Sequence, residues 1–278
     1  MNKQSLSRTL LPALLGCSLC QAAHAERDPL DADLVVDAGW FFVSTDMRVR
    51  VDAEATDRPG TEIDFDRTFG IADVDRFRAD ARWRLSGRHS IRGMYFQNDR
   101  SASQRISREI DFGDDTFPID ATVTARSELT VAQISYEYAF RRRDNHELSA
   151  SIGAHVVDIG LNLGATVTTP GGSASESIEE SAGTTAPLPV LGIRWLWQLP
   201  RNFYVTAQAQ YFYIDFDPYS GSLADLKATV VWQATEHFGV GVGYNDFGFR
   251  FDIDDREEFT GRLRWDYGGA VAFMTFMF

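Results

Sequence analysis

From about residue 34 to the end, the chain alternates apolar and polar residues with a period of two. Between Phe203 and Tyr213, Phe203, Val205, Ala207, Ala209, Tyr211 and Tyr213 fall on one face, and Tyr204, Thr206, Gln208, Gln210 and Phe212 fall on the other. Such a segment of eleven residues is a strand, and a tilted strand of that length crosses the hydrocarbon of a bilayer. The same alternation recurs around residues 76–85, 130–140, 148–156, 187–197, 224–233 and 238–244, and less regularly around 34–48, 90–103 and 258–278. This predicts ten strands, with eight or twelve as alternatives. Short links near 86–89, 141–146, 199–202 and 235–237 alternate with longer polar ones near 49–72, 104–119, 166–184, 217–222 and 251–257. Short turns at one end and longer loops at the other are the pattern of an up-and-down barrel.

Aromatic residues mark the ends of these segments. Trp83, Phe140, Trp195, Trp197, Phe203, Trp232 and Phe238 all neighbour the short turns, and Tyr95, Tyr211, Tyr213 and Tyr244 lie near the opposite ends. Indole and phenol rings favour a membrane–water boundary, because one part is apolar and another hydrogen-bonds. Trp83, Trp195, Trp197, Phe203 and Trp232 are the expected interface residues. In the closing segment Leu263, Trp265 and Tyr267 share one face, whereas the apolar set afterwards is Ala270, Ala272 and Met274. The change of parity predicts a β-bulge at Gly268-Gly269.

Composition explains why the hydropathy stays inconspicuous. Apolar residues make up 44 % of the 278 positions, and beyond the N-terminus no apolar run is long enough for a membrane helix. In a barrel only alternate residues face lipid, so the average is unremarkable. The N-terminus reads as an export signal: Lys3 and Arg8, then apolar Leu10 to Leu19, then Ala23-His24-Ala25 as a small-x-small cleavage site. The expected division is a signal over 1–25 and a barrel over 26–278. Leu14-Leu15-Gly16-Cys17 is the alternative, as a lipobox. Both cysteines, Cys17 and Cys20, would leave with the signal, so no disulfide framework is expected.

After such processing 25 basic residues face 40 acidic ones, a net charge of −15 that argues against nucleic acid as a partner. Lys227 would be the only lysine left. Arginine keeps its charge and pairs bidentately with carboxylates and phosphates, so interior carboxylates and lipopolysaccharide phosphates are both partners it suits.

The last nine residues, Ala270 to Phe278, place Phe278, Phe276, Met274, Ala272 and Ala270 on one face. This strand resembles the C-terminal targeting strand of Gram-negative outer-membrane β-barrels, with Phe273 standing where a glycine is common. Gly60-Thr61-Glu62-Ile63-Asp64-Phe65 and Tyr267-Gly268-Gly269 resemble segments of small uncharacterised proteobacterial outer-membrane proteins. The resemblance implies an all-β, transmembrane, antiparallel barrel in the outer membrane of a Gram-negative bacterium. It implies recognition of Phe276 and Phe278 by the barrel assembly machinery, escort by periplasmic chaperones, and contact with outer-membrane lipids and lipopolysaccharide.

For function the alternation gives a lumen. Arg78, Asp80, Arg82, Arg84, Glu137 and Arg194 are expected to line it. Charges in so narrow a bore should pair. They form either a salt-bridge plug or a cation-lined constriction for anionic solutes. Gly239, Gly241 and Gly243 leave space on one wall, for a solute or for large side chains opposite. The acidic stretches at Glu54, Asp57, Glu62, Asp64, Asp66, Asp73 and Asp75, and at Asp252, Asp254, Asp255, Glu257 and Glu258, are either solvated faces or weak Ca²⁺ or Mg²⁺ sites. His89, His146 and His237 lie at short turns and His155 is alone in mid-strand, so no nucleophile–base pair is legible. There is no Cys/His metal spacing and no glycine-rich phosphate loop. The expectation is a monomeric, cofactor-free, non-enzymatic barrel, structural or porin-like as a narrow channel. A surface adhesin or ligand-binding protein acting through its acidic loops is the alternative, and a lipid A or peptide hydrolase stands third.

Overall fold

The computed structural model describes residues 29–54, 58–71, 75–168, 175–216, 219–255 and 259–278. The expected signal over 1–25 lies outside them, as do Asp57, Asp73, Glu257 and Glu258. In chain order the elements are β1 (Leu34–Val51), β2 (Ile63–Asp64), α1 (Phe65–Phe69), β3 (Arg76–Ser86), β4 (His89–Gln97), β5 (Arg100–Arg105), β6 (Ile110–Phe112), β7 (Asp115–Phe117), β8 (Thr122–Arg143), β9 (His146–Thr168), β10 (Ser175–Leu199), β11 (Phe203–Phe216), β12 (Tyr219–Gln233), β13 (Phe238–Asp255) and β14 (Phe259–Met277). Ten of these strands, β1, β3, β4 and β8 to β14, pair antiparallel in sequence order, and β14 returns to β1 to close the barrel. The expected ten-stranded all-β barrel is the observed one. No helix among the described residues is long and apolar enough to cross a membrane.

Several strands are about twice as long as the sequence pattern indicated. β8, β9 and β10 run for 22, 23 and 25 residues. Much of what read as long links is strand: Ser175 pairs with Thr168, and the β9–β10 ladder continues from there down to Trp197 and His146. Of the expected loop at 166–184, residues 169–174 lie outside the described residues. The expected links at 217–222 and 251–257 likewise overlap β12 and β13.

The extra length divides the barrel into two storeys. Near the short turns the outward positions are apolar and exposed: Trp40, Phe42, Phe77, Trp83, Ile134, Ile152, Leu191, Ile193, Leu226 and Val242. Farther along the same strands the outward positions become polar, as with Glu128, Arg126 and Thr124 on β8 and Asp158, Asn162 and Thr166 on β9. The inward positions change the opposite way. Charged side chains fill the lower storey, while Val43, Met47, Leu129, Val157, Ile159, Leu161, Leu163, Phe247, Phe249 and Trp265 fill the upper one. The alternation continues, but the apolar face moves from outside to inside.

This exchange replaces the expected bulge at Gly268-Gly269. The register of β14 runs without a shift through Gly268 and Gly269 against both β1 and β13. Trp265 and Tyr267 point inward on the same parity as Val271 and Phe273, and all four are buried. Register shifts occur instead beside short turns, between Arg84 and Ser86 and between Ala139 and Arg141.

The upper wall has a gap that the long insertions fill. Below it, β3 pairs with β1 as far as the Phe41–Arg76 pair; above it, only two residues of β2 continue along that edge of β1. On the other side β4 breaks at Asn98-Asp99 and resumes as β5 along β8, so the expected strand at 90–103 is two strands. Short helix α1 sits between them, capped by the Asp64 side chain accepting from the Arg67 N–H (3.0 Å) and ended by Gly70 in the left-handed region. Asp66 accepts from the Met47 N–H of β1 (2.8 Å) and pairs with Arg100 of β5, bridging the two edges. Phe65, Phe69, and the hairpin residues Ile110, Phe112 and Phe117 complete the upper core.

Candidate functional site

The lower lumen gathers the charged side chains, and strand parity brings them there. The structure places Arg78, Asp80, Arg82 and Arg84 on the inner face of β3, Glu137 on β8 and Arg194 on β10, all buried. Lys227 and Asp225 on β12, Glu147 on β9, Arg92 on β4 and Asp37 on β1 join them.

Three carboxylates organise the set at successive heights. Nearest the short turns, Glu147 receives Arg84 (3.0 Å), Arg194 (3.5 Å), Arg142 (3.8 Å) and Arg82 (4.0 Å). Glu137 is held by Arg194 (3.0 Å) and Arg92 (3.5 Å). Asp80 binds both Arg78 and Lys227 at 2.9 Å. Arg78 also meets Asn245, whose amide donates to Asp225 (2.6 Å). Carboxylates that each serve several cations satisfy the strong need for pairing in a medium of low dielectric.

Buried apolar residues flank this layer at both ends. Below, Pro29, Leu30 and Ala32 are buried, held by Arg82 donating to the Pro29 carbonyl and Arg142 to the Leu30 carbonyl, each at 2.7 Å. Above, Phe41, Phe96, Phe247 and Tyr267 form an aromatic lid with ring centroids 4.6–5.8 Å apart. The Arg78 guanidinium stands 5.7 Å from the Phe41 ring, close enough for cation–π attraction. Among the described residues this layer holds a cavity of about 50 Å³, lined in part by Asp37, Arg82, Arg92, Arg194 and Lys227. That is room for a few water molecules. The glycines of β13 do not widen it: a β-carbon at Gly241 would lie 2.4 Å from the Phe273 ring, so that glycine accommodates the large residue opposite.

Other expected residues take simpler positions. Trp83, Trp195, Trp197, Phe203 and Trp232 are exposed on the outer wall beside the short turns, and Trp195 stacks on Trp197 at 5.4 Å. On the closing strand Phe278 is exposed and Phe276 half-buried, facing outward. His155 is fully buried, with Nε2 3.1 Å from the Gln210 side-chain oxygen. Among the described residues no three His, Cys, Asp or Glu side chains converge on a possible metal position. Several carboxylates of the first acidic stretch have structural partners instead, Asp64 as the helix cap and Asp66 with Arg100. Burial raises the Asp66 carboxyl above its usual range, against the opposing pull of Arg100.

The members missed by sequence reasoning have a common cause. Asp225 and Lys227 show the right parity, but Glu147 adjoins a turn and Asp37 lies in an irregular strand. Parity tells which residues point inward, not which of them meet across the bore.

No protein-family model matches the sequence, and no curated protein matches it. Among solved structures, the outer-membrane protease OmpT of Escherichia coli is similar with a TM-score of 0.57 and 10 % identity, over 90 % of this chain and 98 % of that one. Looser likenesses are the outer membrane protein AlkL (TM-score 0.36, 11 % identity, 100 % and 97 % covered) and Ail of Yersinia pestis (0.33, 11 %, 88 % and 97 %). The likeness to OmpT is one of fold, a closed antiparallel β-barrel.

Proposed function

We propose that this chain is a closed, monomeric and non-catalytic outer-membrane barrel, a structural surface protein whose upper storey stands rigidly above the bilayer. The observation that carries this reading is the double filling of the lumen. Among the described residues the ionic layer encloses a cavity of about 50 Å³ on its Pro29 side, and the upper storey has an apolar core where a pore would need water. The outer apolar band supports residence in a membrane, its roughly eleven residues of tilted strand matching a hydrocarbon belt of about 25 Å. Export by the segment 1–25 and assembly through the C-terminal strand belong to the same proposal.

Planar-bilayer recording tests the closure. The purified folded protein should give no unitary conductance, and regular single-channel steps would overturn the reading. The channel alternative draws on the cationic cavity lining and would show itself there as anion-selective steps. OmpT's protease activity is not carried over to this chain: His155 lies buried below the upper core, and His89, His146 and His237 sit at or beside the short turns.

A further inference from the structure

The outer wall of the upper storey carries a row of like charges. Arg48 of β1 is directly opposite Arg264 of β14, and Arg264 is directly opposite Arg250 of β13. All three face outward, on the parity of Phe42, Ala270 and Tyr244 below them. Like charges directly opposed across a sheet are destabilising, so the row asks for a compensating anion. Carboxylates of the same outward face, Asp46 and the Asp266 opposite it, stand one row lower and compensate only in part, Asp266 making no ion pair among the described residues. Arg48 lies 3.4 Å from Asp46 and 3.9 Å from Asp64, and Asp252 is taken up by Arg262 one row higher. Among the described residues neither Arg250 nor Arg264 has an ion-pair partner. A recess of about 330 Å³ opens at this position, and Glu62, Asp252 and Arg262 line it together with the three arginines.

Height identifies the occupant. The row lies six residues beyond Phe42, Tyr244 and Ala270, the last apolar outward residues of their strands. At the rise and tilt of barrel strands that is about 15 Å above the hydrocarbon edge. The recess faces sideways over the bilayer at the level of lipid-borne sugars, above the acyl chains. Guanidinium groups match phosphate bidentately, and the Glu62 carboxylate lining the recess can accept from sugar hydroxyls. We propose that Arg48, Arg250 and Arg264 form a binding site for the phosphorylated sugar headgroup of an outer-leaflet glycolipid. The proposal rests on the membrane residence inferred above. The two fail separately: recovery of the chain in the inner-membrane fraction would undo the residence, whereas the binding test below bears on the site.

The test uses folded protein in detergent, probed by lipopolysaccharide with its core phosphates intact, by the same glycolipid dephosphorylated, and by a soluble phosphorylated disaccharide. Binding of the intact glycolipid should weaken about tenfold in the double variant Arg250→Ala/Arg264→Ala, as expected for losing one or two charge-assisted contacts. The dephosphorylated glycolipid should bind wild type and variant alike. Arg250→Lys/Arg264→Lys, which keeps the charge and loses the fork, should fall between them. Retained heat-modifiable migration shows that the variants remain folded. Equal binding of intact glycolipid by wild type and the alanine variant would overturn the site. Equal affinity for the soluble disaccharide would overturn its assignment to a lipid.

Discussion

The two storeys share strands, register and alternation, yet they distribute polarity in opposite ways. On β9, Ile152 faces outward in the lower storey and Asn162 faces outward in the upper, while inward Glu147 and Ser149 give way to Ile159, Leu161 and Leu163. The membrane residence proposed above accounts for the exchange. Where lipid surrounds the wall, apolar side chains belong outside, and the interior holds polar groups that pair with one another. Where water surrounds it, apolar burial drives the interior to fill with hydrocarbon, as in a soluble barrel. Alternation therefore marks the strand, and the solvent decides which half of the alternation is apolar.

If that account holds, the lower storey depends on its charges in a way the upper one does not. The largest effect is expected at Glu147, which serves four arginines. Glu147→Ala leaves several buried cations short of a counter-charge and should cost about 3–5 kcal/mol. Urea titration of protein folded into phospholipid vesicles measures it. A loss within the range of an ordinary surface substitution would mean that the ionic layer is hydrated and the storeys are less different than described.

The next expected effect compares the two outer walls directly. Ile193→Arg, in the middle of the apolar band, should destabilise by about 2–4 kcal/mol. Asn162→Arg, on the outward face of β9 in the upper storey, should change stability by no more than about 0.5 kcal/mol. Equal costs would place both residues in the same solvent and dissolve the boundary between the storeys.

The same boundary explains what was legible in the sequence. Ten strands follow from alternation, because most have a lower half with apolar residues at every second position. Above the boundary the signal weakens. In β10, Ser177, Glu179, Ser181 and Gly183 face outward, and inside only Ile178, Ala182 and Ala186 are apolar among polar neighbours. A composition so rich in Ser, Gly and Glu resembles a loop, although its backbone is fully paired. The misplaced bulge has the same origin. Moving the apolar face from outside to inside shifts the hydrophobic pattern by one residue, as a bulge would, and only the ladder partners of Gly268 and Gly269 distinguish the two. The arginines of β3 were legible by counting from Trp83. Their carboxylate partners were not all so, since Arg84 and Glu147 lie 63 positions apart and meet only when the barrel closes.

The smallest expected effect lies at the top of the upper core, where an inward position carries a carboxylate. Glu180 of β10 points in beside the β6–β7 hairpin, its side chain 2.9–3.0 Å from where a β-carbon on Gly113 would stand. Burial raises its carboxyl above the usual range, and repulsion from Asp115 and Asp114 adds to the rise. An acid whose folded value is raised binds its proton more readily when folded. Its stabilising contribution is therefore complete below the ordinary carboxylate range, near pH 4, and is lost as pH rises through the folded value. Glu180→Gln keeps the shape and removes the charge. It should raise the unfolding midpoint slightly at pH 7 and leave it unchanged at about pH 4. A gain of equal size at both pH values would show that the amide improves packing, and the upper interior would then be less hostile to charge than its apolar filling indicates.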